Sequence, residues 1–125
     1  MSAGYDSIDP AVLMRAVAGD LASFRALSET FLSITPPMYA RLCAALGERD
    51  RAAIAHASHA FKGTAALVGA AALTARLQQI EHAARADAAL PGPDSGQALA
   101  PLFEQVLSDV AASIAGYDGG DAAAP

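Results

Sequence analysis

The chain has a single cysteine, Cys43, among its 125 residues, so no disulfide bond can form within it. This favours a reducing compartment, and Cys43 is predicted to be a small buried side chain. Residues 1–9 contain neither a basic region nor an apolar segment, so we expect no signal peptide. The longest uncharged run, residues 63–75, is much shorter than the roughly 20 apolar residues that span a bilayer. We therefore expect a cytoplasmic protein without membrane insertion, or a cytoplasmic module of a larger one.

Clusters of basic residues are also missing. Eight Lys and Arg residues stand against 13 Asp and Glu residues, which gives a net charge of −5 and a pI near 4.9. Proteins that bind nucleic acids neutralise phosphates with grouped basic side chains, so we expect no nucleic-acid partner. The sequence instead predicts a protein partner.

Aromatic residues make up only 6% of the chain, whereas hydrophobic residues, mostly Ala and Leu, make up 54%. This composition is typical of closely packed helices, and the length fits one domain with a single core. Four long amphipathic segments with short connections predict an all-α, antiparallel four-helix bundle with a short extra N-terminal helix. We expect residues 1–8 to be a flexible leader, 9–116 the bundle and 117–125 a disordered tail.

The second helix of the predicted bundle contains two adjacent prolines. Its apolar period begins at Leu21 and resumes after Thr35-Pro36-Pro37 until Gly47. Proline lacks an amide hydrogen and restricts the preceding residue, so the helix is expected to kink or restart there, with Thr35 as a cap. We expect two nearly collinear pieces that behave as one long helix.

Caps and turn residues delimit the other predicted helices. Asp and Ser accept hydrogen bonds from free amides at helix starts, and Gly and Pro mark helix ends. These residues are Asp9-Pro10 and Gly19 for the first helix, Asp50 and Gly69 for the central one, Gly69 and Pro91 for the next, and Asp94 or Ser95 and Gly116 for the last.

The central helix has one apolar stripe and one unusual outer face. The stripe consists of Ile54, Ala57, Phe61, Ala65 and Val68. His59 lies two residues before Phe61, a rotation of roughly 200°, so the geometry that buries Phe61 turns His59 toward solvent. An exposed imidazole is available for chemistry.

The residues around His59 differ from an ordinary solvated helix face. They are Ala52, Ala55, His56, Lys62, Gly63 and Ala66. A glycine inside a helix costs about 1 kcal/mol relative to alanine, so Gly63 needs another reason, and we infer access for a bulky partner. Lys62 supplies a cation on the adjacent row. A nucleophilic ring nitrogen, a nearby ammonium and cleared space suit a transferred phosphoryl group.

The segment His59-Ala60-Phe61-Lys62-Gly63-Thr64 resembles the signature of the histidine-containing phosphotransfer (HPt) domain family, His-x-Leu-Lys-Gly-Ser/Thr/Ala. The resemblance continues with Gly69-Ala70, Leu73, Leu77 and Glu81. Phe61 stands where Leu is commoner and Thr64 where Ser is commoner, and neither departure touches the inferred chemistry. The motif covers about a fifth of the chain, and the helix pattern extends the resemblance from roughly Ile8 to Ile114.

The resemblance implies that His59 accepts a phosphoryl group from the phospho-aspartate of a receiver domain and passes it to a response-regulator aspartate. Lys62 would support the phosphoryl group, and access or docking would fall to Gly63, Ala55, His56, Ala66 and Ala52. The protein would be a carrier rather than an enzyme, with no nucleotide site and no cofactor of its own, and Mg²⁺ would belong to the receiver. The implied partners are response-regulator receiver domains, with a hybrid sensor histidine kinase as one source.

Other interpretations stand beside this one. His59 and His56 share a face and could be surface histidines or a metal pair, although no carboxylate or thiolate of the same helix completes a site, so we expect no metal. His82 fits a solvated or partly packed side chain. Glu81 fits a capping or salt-bridge role, and the Thr64 hydroxyl fits a bond to the Ala60 carbonyl.

Two alternative functions also remain open at the level of sequence. One is the related phosphotransfer domain of a chemotaxis-type kinase, whose histidine is phosphorylated by an ATP-binding domain of the same protein. The other is a helical adaptor that binds a partner through its alanine-rich face without any chemistry.

Overall fold

The computed structural model describes residues 5–86 and 89–118, which form five helices and contain no β-strand. The helices are α1 (Pro10–Ala16), α2 (Leu21–Glu48), α3 (Arg51–Leu67), α4 (Ala71–Arg85) and α5 (Ser95–Gly116). Helix α3 packs against α4 and α2, and α5 packs against α2 and α4. The predicted all-α four-helix bundle with a short N-terminal helix is confirmed.

The core lies between the four long helices, and the predicted stripe of α3 faces it. Ile54, Phe61 and Ala65 are fully buried, and Val68 is nearly so, whereas Ala57 is half-buried. The ring of Phe61 meets that of Phe103 on α5 edge to face, with centroids 5.3 Å apart. Each large side chain buried in this way contributes about 1.5–3 kcal/mol. Burial of this apolar stripe therefore fixes the rotation of α3 about its own axis.

Helix α2 runs without interruption from Leu21 to Glu48, although Pro36 and Pro37 lie inside it. Thr35 is fully buried and is not a cap, because its Oγ1 donates a hydrogen bond to the Phe31 carbonyl at 2.7 Å within the same helix. Both prolines are exposed, so carbonyls that lose a helical donor can be reached by water. The predicted restart at Thr35 is wrong, and the prediction of one long helix is confirmed.

Two of the predicted caps hold their helices. The carboxylate of Asp9 accepts from the Ala11 amide, and that of Asp50 accepts from the Ala53 amide, each at 3.1 Å. Asp94 precedes α5 but makes no such bond. Helix α2 continues past Gly47 and ends only after Glu48, where Arg49 takes the left-handed conformation with φ 57°.

Both ends of the bundle make contacts that the sequence does not predict. The backbone amide and hydroxyl of Ser7 donate to Oδ2 of the buried Asp109 at 3.0 and 2.7 Å. Tyr117 is buried and its ring lies 5.4 Å from Phe24 and 6.5 Å from Tyr5. Ser7 and Tyr117, which the sequence assigns to the flexible leader and the disordered tail, thus make contacts that a helical pattern cannot reveal. Residues 1–4 and 119–125, also assigned to them, lie outside the described residues.

Within the described ranges, α5 is long and apolar enough to cross a membrane by length and composition alone. One face of this helix supplies Leu99, Phe103 and Val106 to the core, where all three are buried. Its hydropathy therefore has an explanation inside the bundle.

Candidate functional site

The exposed face of α3 has His59 near its centre. The side chain of His59 is 63% exposed, and Ala52, His56, Gly63 and Ala66 are exposed around it, as predicted. Apart from its two chain neighbours and the nearby backbone of α3 itself, no described atom lies within 4 Å of the position that a Cβ on Gly63 would occupy. Gly63 therefore has open space in front of it and is not a packing glycine among the described residues.

Ala55 is the exception among the residues that the sequence placed on this face. It is only 8% exposed, so the prediction that it takes part in access or docking is wrong. Ala55 lies on the flank of α3 that α4 covers, about 40° from His59 in the direction of the core. A helical wheel gives the angle between Ala55 and His59 but does not show which neighbouring helix packs on that flank.

A buried carboxylate from α4 lies beneath His59. Glu81 is only 6% exposed, and its Oε2 is 3.0 Å from Nδ1 of His59. The same oxygen accepts from Nε of Arg85 at 2.8 Å, and Oε1 pairs with Nζ of Lys62 at 2.7 Å. One carboxylate therefore joins the histidine to two cations.

These contacts determine the charge of Glu81. The Lys62 ammonium contributes most to lowering the pKa of Glu81 from 4.5 to about 2, and Arg85 and His59 add to this effect. Burial acts in the opposite direction, because it disfavours the charged form. Glu81 is thus an ionised acceptor at neutral pH.

An ionised carboxylate at Nδ1 determines which ring nitrogen of His59 carries the proton. A carboxylate without a proton only accepts hydrogen bonds, so Nδ1 must be the donor, and a neutral ring then keeps its lone pair on Nε2. Because the ring is largely exposed, Nε2 is the available nucleophile. If Nε2 forms a covalent bond, the positive charge that develops on the ring is stabilised by Glu81.

Lys62, the chain's one lysine, is held more firmly than the sequence predicts. Besides its ion pair with Glu81, its Nζ donates to Oε1 of Gln78 at 2.6 Å, and its side chain is 22% exposed. Lys62 therefore lies on the α4 side of His59 with a fixed position, rather than as a mobile surface charge.

The contact between His59 and Glu81 is the main feature that sequence reasoning missed. A salt bridge was one of the two roles predicted for Glu81, and it is confirmed, but its partners were not identified. Arg85 and Gln78 were not singled out, although Arg85 follows Glu81 by one helical turn. His59 and Glu81 are 22 residues apart, so their meeting depends on the packing of α3 on α4.

The remaining side chains that the sequence singled out lie away from the contacts of Glu81. Thr64 Oγ1 donates to the Ala60 carbonyl at 3.2 Å, as predicted, and His56 and His82 are exposed. Residues 5–86 and 89–118 contain no group of three or more His, Cys, Asp or Glu side chains that could hold a metal ion. Cys43 is half-buried rather than buried, and it packs against Gly96 at the start of α5, where a Cβ would come within 2.6 Å of its Sγ.

Three large hydrophobic side chains are exposed among the described residues: Leu27, Ile34 and Leu67, at 47, 43 and 54%. Leu27, Ile34 and Arg41 are spaced by seven residues and so share one side of α2. That side faces α3, because Arg41 lines a cleft with Ala60 of α3. Leu67 follows Ala60 by seven residues on α3. We call these three residues the α2–α3 apolar surface.

The comparisons with known proteins give one finding. A model described as Hpt domain matches residues 26–113, which include most of α2 and all of α3 and α4. Neither the curated proteins nor the solved structures contain a match to the chain.

Proposed function

Since the chain belongs to the Hpt domain family, whose members carry out histidine phosphotransfer in phosphorelays, we propose that His59 is the residue that carries the phosphoryl group. One observation supports this choice above all. His59 is an exposed imidazole whose Nδ1 contacts the buried, ionised Glu81, which leaves Nε2 as the nucleophile. His56 and His82 are exposed as well, but no comparable acceptor pairs with either among the described residues.

The transfer proceeds in two steps of the same kind. In the first, the Nε2 lone pair of His59 forms a nitrogen–phosphorus bond while the bond between phosphorus and the donor aspartate's carboxyl oxygen breaks. The donor leaves as a carboxylate, and the Nδ1 proton stays beside Glu81 throughout. In the second step, the carboxylate of another receiver attacks the phosphorus and the ring nitrogen leaves. No proton has to enter or leave the site.

The charges around His59 suit a group that is strongly negative. Lys62 and Arg85 provide two positive charges against the single negative charge of Glu81, so the site is net positive before transfer. Lys62 therefore supports the phosphoryl group, as expected from the sequence, and Arg85 is a second cation in reach of the same carboxylate. Mg²⁺ and most of the stabilisation of the transferred group belong to the receiver, and this chain acts as a carrier without a cofactor.

The approach of the receiver is left open by small side chains. Gly63, Ala52, His56 and Ala66 surround His59, and Leu67 of the α2–α3 apolar surface follows Gly63 by about one helical turn. A receiver domain that covers both brings its aspartate to Nε2 and removes water from the α2–α3 apolar surface. We place this exchange in the cytoplasm, in keeping with the lone cysteine.

The test is phosphoryl transfer from ³²P-labelled receiver domains of the same genome. The wild type should become labelled with acid-labile phosphate, and ³¹P NMR should assign the phosphate to a ring nitrogen, Nε2. His59→Gln should take no label, and the matched control His82→Gln should be labelled like the wild type.

Three outcomes would contradict parts of this proposal. Label that persists in His59→Gln and disappears in His56→Gln would show that the neighbouring histidine is the acceptor. Label that comes only from an ATP-binding kinase domain, and from no receiver, would favour the chemotaxis-type arrangement. A chain that takes no label under either condition would be an adaptor.

A further inference from the structure

A surface cleft of about 250 Å³ lies between α2 and α3, directly beside the site. Its lining residues are Met38, Arg41, His56, Ala57 and Ala60. His56 precedes His59 by about one helical turn, and Ala60 is the next residue in the chain, so the cleft opens on the α2 side of the imidazole. Its walls are apolar, and its two polar groups are a guanidinium and an imidazole.

The guanidinium of Arg41 has no ion-pair or hydrogen-bond partner within residues 5–86 and 89–118. Five other cations are engaged: Lys62 and Arg85 pair with Glu81, and Arg25, Arg49 and Arg51 donate to main-chain carbonyls. A free guanidinium that lines a cleft offers a fork of donors matched to a carboxylate.

The charges of the surrounding segment also favour an anion. Residues 51–85 contain four basic residues and one acidic residue, Glu81, whereas the rest of the chain contains four basic and 12 acidic residues. No acidic side chain lines the cleft. The segment that carries His59 and Glu81 is thus net positive in a protein of net charge −5, and His56, Ala57 and Ala60 of this segment line the cleft.

We propose that this cleft is a docking subsite for a carboxylate side chain of the partner receiver, an inference that rests on the proposed function. The carboxylate pairs with Arg41 and accepts a hydrogen bond from His56, while the methylene groups that carry it pack on Met38 and Ala60. The partner therefore has an Asp or Glu on the surface that covers α2. Because the cleft does not hold the reacting atoms, it acts on the affinity and choice of receiver rather than on the chemical step.

The experiment measures transfer from the phosphorylated receiver that labels the wild type fastest, over a range of receiver concentrations. Arg41→Ala should raise the half-saturating receiver concentration about fivefold and leave the maximal transfer rate unchanged, as removal of one interfacial charge pair does. Arg41→Lys, which keeps the charge but not the fork, should raise it about twofold. Higher salt should weaken binding of the wild type more than that of Arg41→Ala.

Arg76 offers a matched control. It is exposed, has no partner within the described residues and lines a cleft of about 310 Å³, but that cleft lies between α4 and α5 on another side of the bundle. Arg76→Ala removes the same net charge and should leave the half-saturating concentration within about twofold of the wild type. Melting temperatures of all variants should stay close together, since both arginines are exposed.

Equal half-saturating concentrations for Arg41→Ala and Arg76→Ala would overturn the subsite, because only total charge would then matter. A lower maximal rate for Arg41→Ala, without a change in half-saturation, would overturn it too and assign Arg41 to the phosphoryl group. Failure of the wild type to accept phosphate from any receiver would instead contradict the proposed function, and the subsite would fall with it.

Discussion

The two flanks of α3 differ in what covers them. On the flank toward α4, Ala55 is 8% exposed and Lys62 is 22% exposed, and the ion pairs of Glu81 join the two helices. On the flank toward α2, Leu67 is 54% exposed, and an open cleft separates the helices beside His56. His59 stands on the boundary between a closed flank and an open one.

This difference separates two tasks that a phosphocarrier must perform. The closed flank orients the imidazole through a buried charge, which requires exclusion of water and fixed neighbours. The open flank leaves apolar and cationic groups without partners within the described residues, which suits the binding of another protein. Under the proposed function, the same helix would therefore determine the chemistry on one side and the choice of partner on the other.

The largest effect is expected from truncation of Phe61, because burial of its ring fixes the rotation of α3 and so the position of both flanks. Phe61→Ala should lower the free energy of unfolding by about 3–5 kcal/mol, because the ring is fully buried against Phe103. Denaturant unfolding measures this change. A midpoint equal to the wild type's would mean that α3 does not bury this face, and the outward position of His59 would then lose its basis.

Breaking only the closed flank should affect the chemistry. Glu81→Gln keeps the shape of the side chain but loses its charge, so the transfer rate should fall roughly tenfold as the ring loses stabilisation of its positive charge. ¹⁵N NMR of His59 should show a smaller fraction of the Nδ1–H form. An unchanged tautomer ratio together with a lower rate would mean that Glu81 acts only through stability.

The stability that Glu81 contributes should depend on pH, and Glu81→Gln is the reference for measuring it. The pKa of Glu81 is lowered to about 2 in the folded protein, so its ion pairs contribute fully above the unfolded value of 4.5. This contribution should disappear as the pH falls from about 4.5 toward 2. The difference in unfolding free energy between wild type and Glu81→Gln should therefore be constant above about pH 5 and shrink below it. A difference that grows on acidification would contradict the sign of the pKa shift.

Obstructing the approach to His59 should affect docking without harming the fold. Gly63→Gln should increase the free energy of unfolding by about 0.5–1 kcal/mol, because Gln is the better helix former and open space surrounds the site. Receiver affinity should nevertheless fall about fivefold through steric obstruction. The affinity of Gly63→Ala should lie between those of the wild type and Gly63→Gln. Loss of stability with normal transfer by the folded fraction would show that access is not the role of Gly63.

A smaller effect is expected from Lys62→Ala. Its charge is shared with Glu81 and Gln78, so the transfer rate should fall only about threefold while receiver affinity stays the same. Because Lys62 is the main cause of the lowered pKa of Glu81, that pKa should rise toward its ordinary value, which a ¹³C NMR titration measures. A larger loss of receiver affinity than in Gly63→Gln would mean that Lys62 contributes to docking of the receiver rather than to the transfer step.

Much of the fold followed from local patterns. The caps at Asp9 and Asp50 and the buried stripe through Phe61 were predicted, because capping and helical periodicity depend on neighbours within a few residues. Thr35 was misread for the same reason. Its neighbours Pro36 and Pro37 are local signals of a helix end, but Thr35 is buried inside an uninterrupted α2.

By itself, the sequence determined that this protein is a helical bundle with an outward histidine beside a lysine and a glycine, since rotation about a helix axis is a property of residue spacing. Only the tertiary structure decided what His59 can do. Glu81 is 22 residues away in sequence, and the register of α3 against α4 brings its carboxylate to within 3.0 Å of Nδ1. The same packing buries Ala55 and leaves the flank toward α2 open, because a helix can be closed only where a neighbour lies against it.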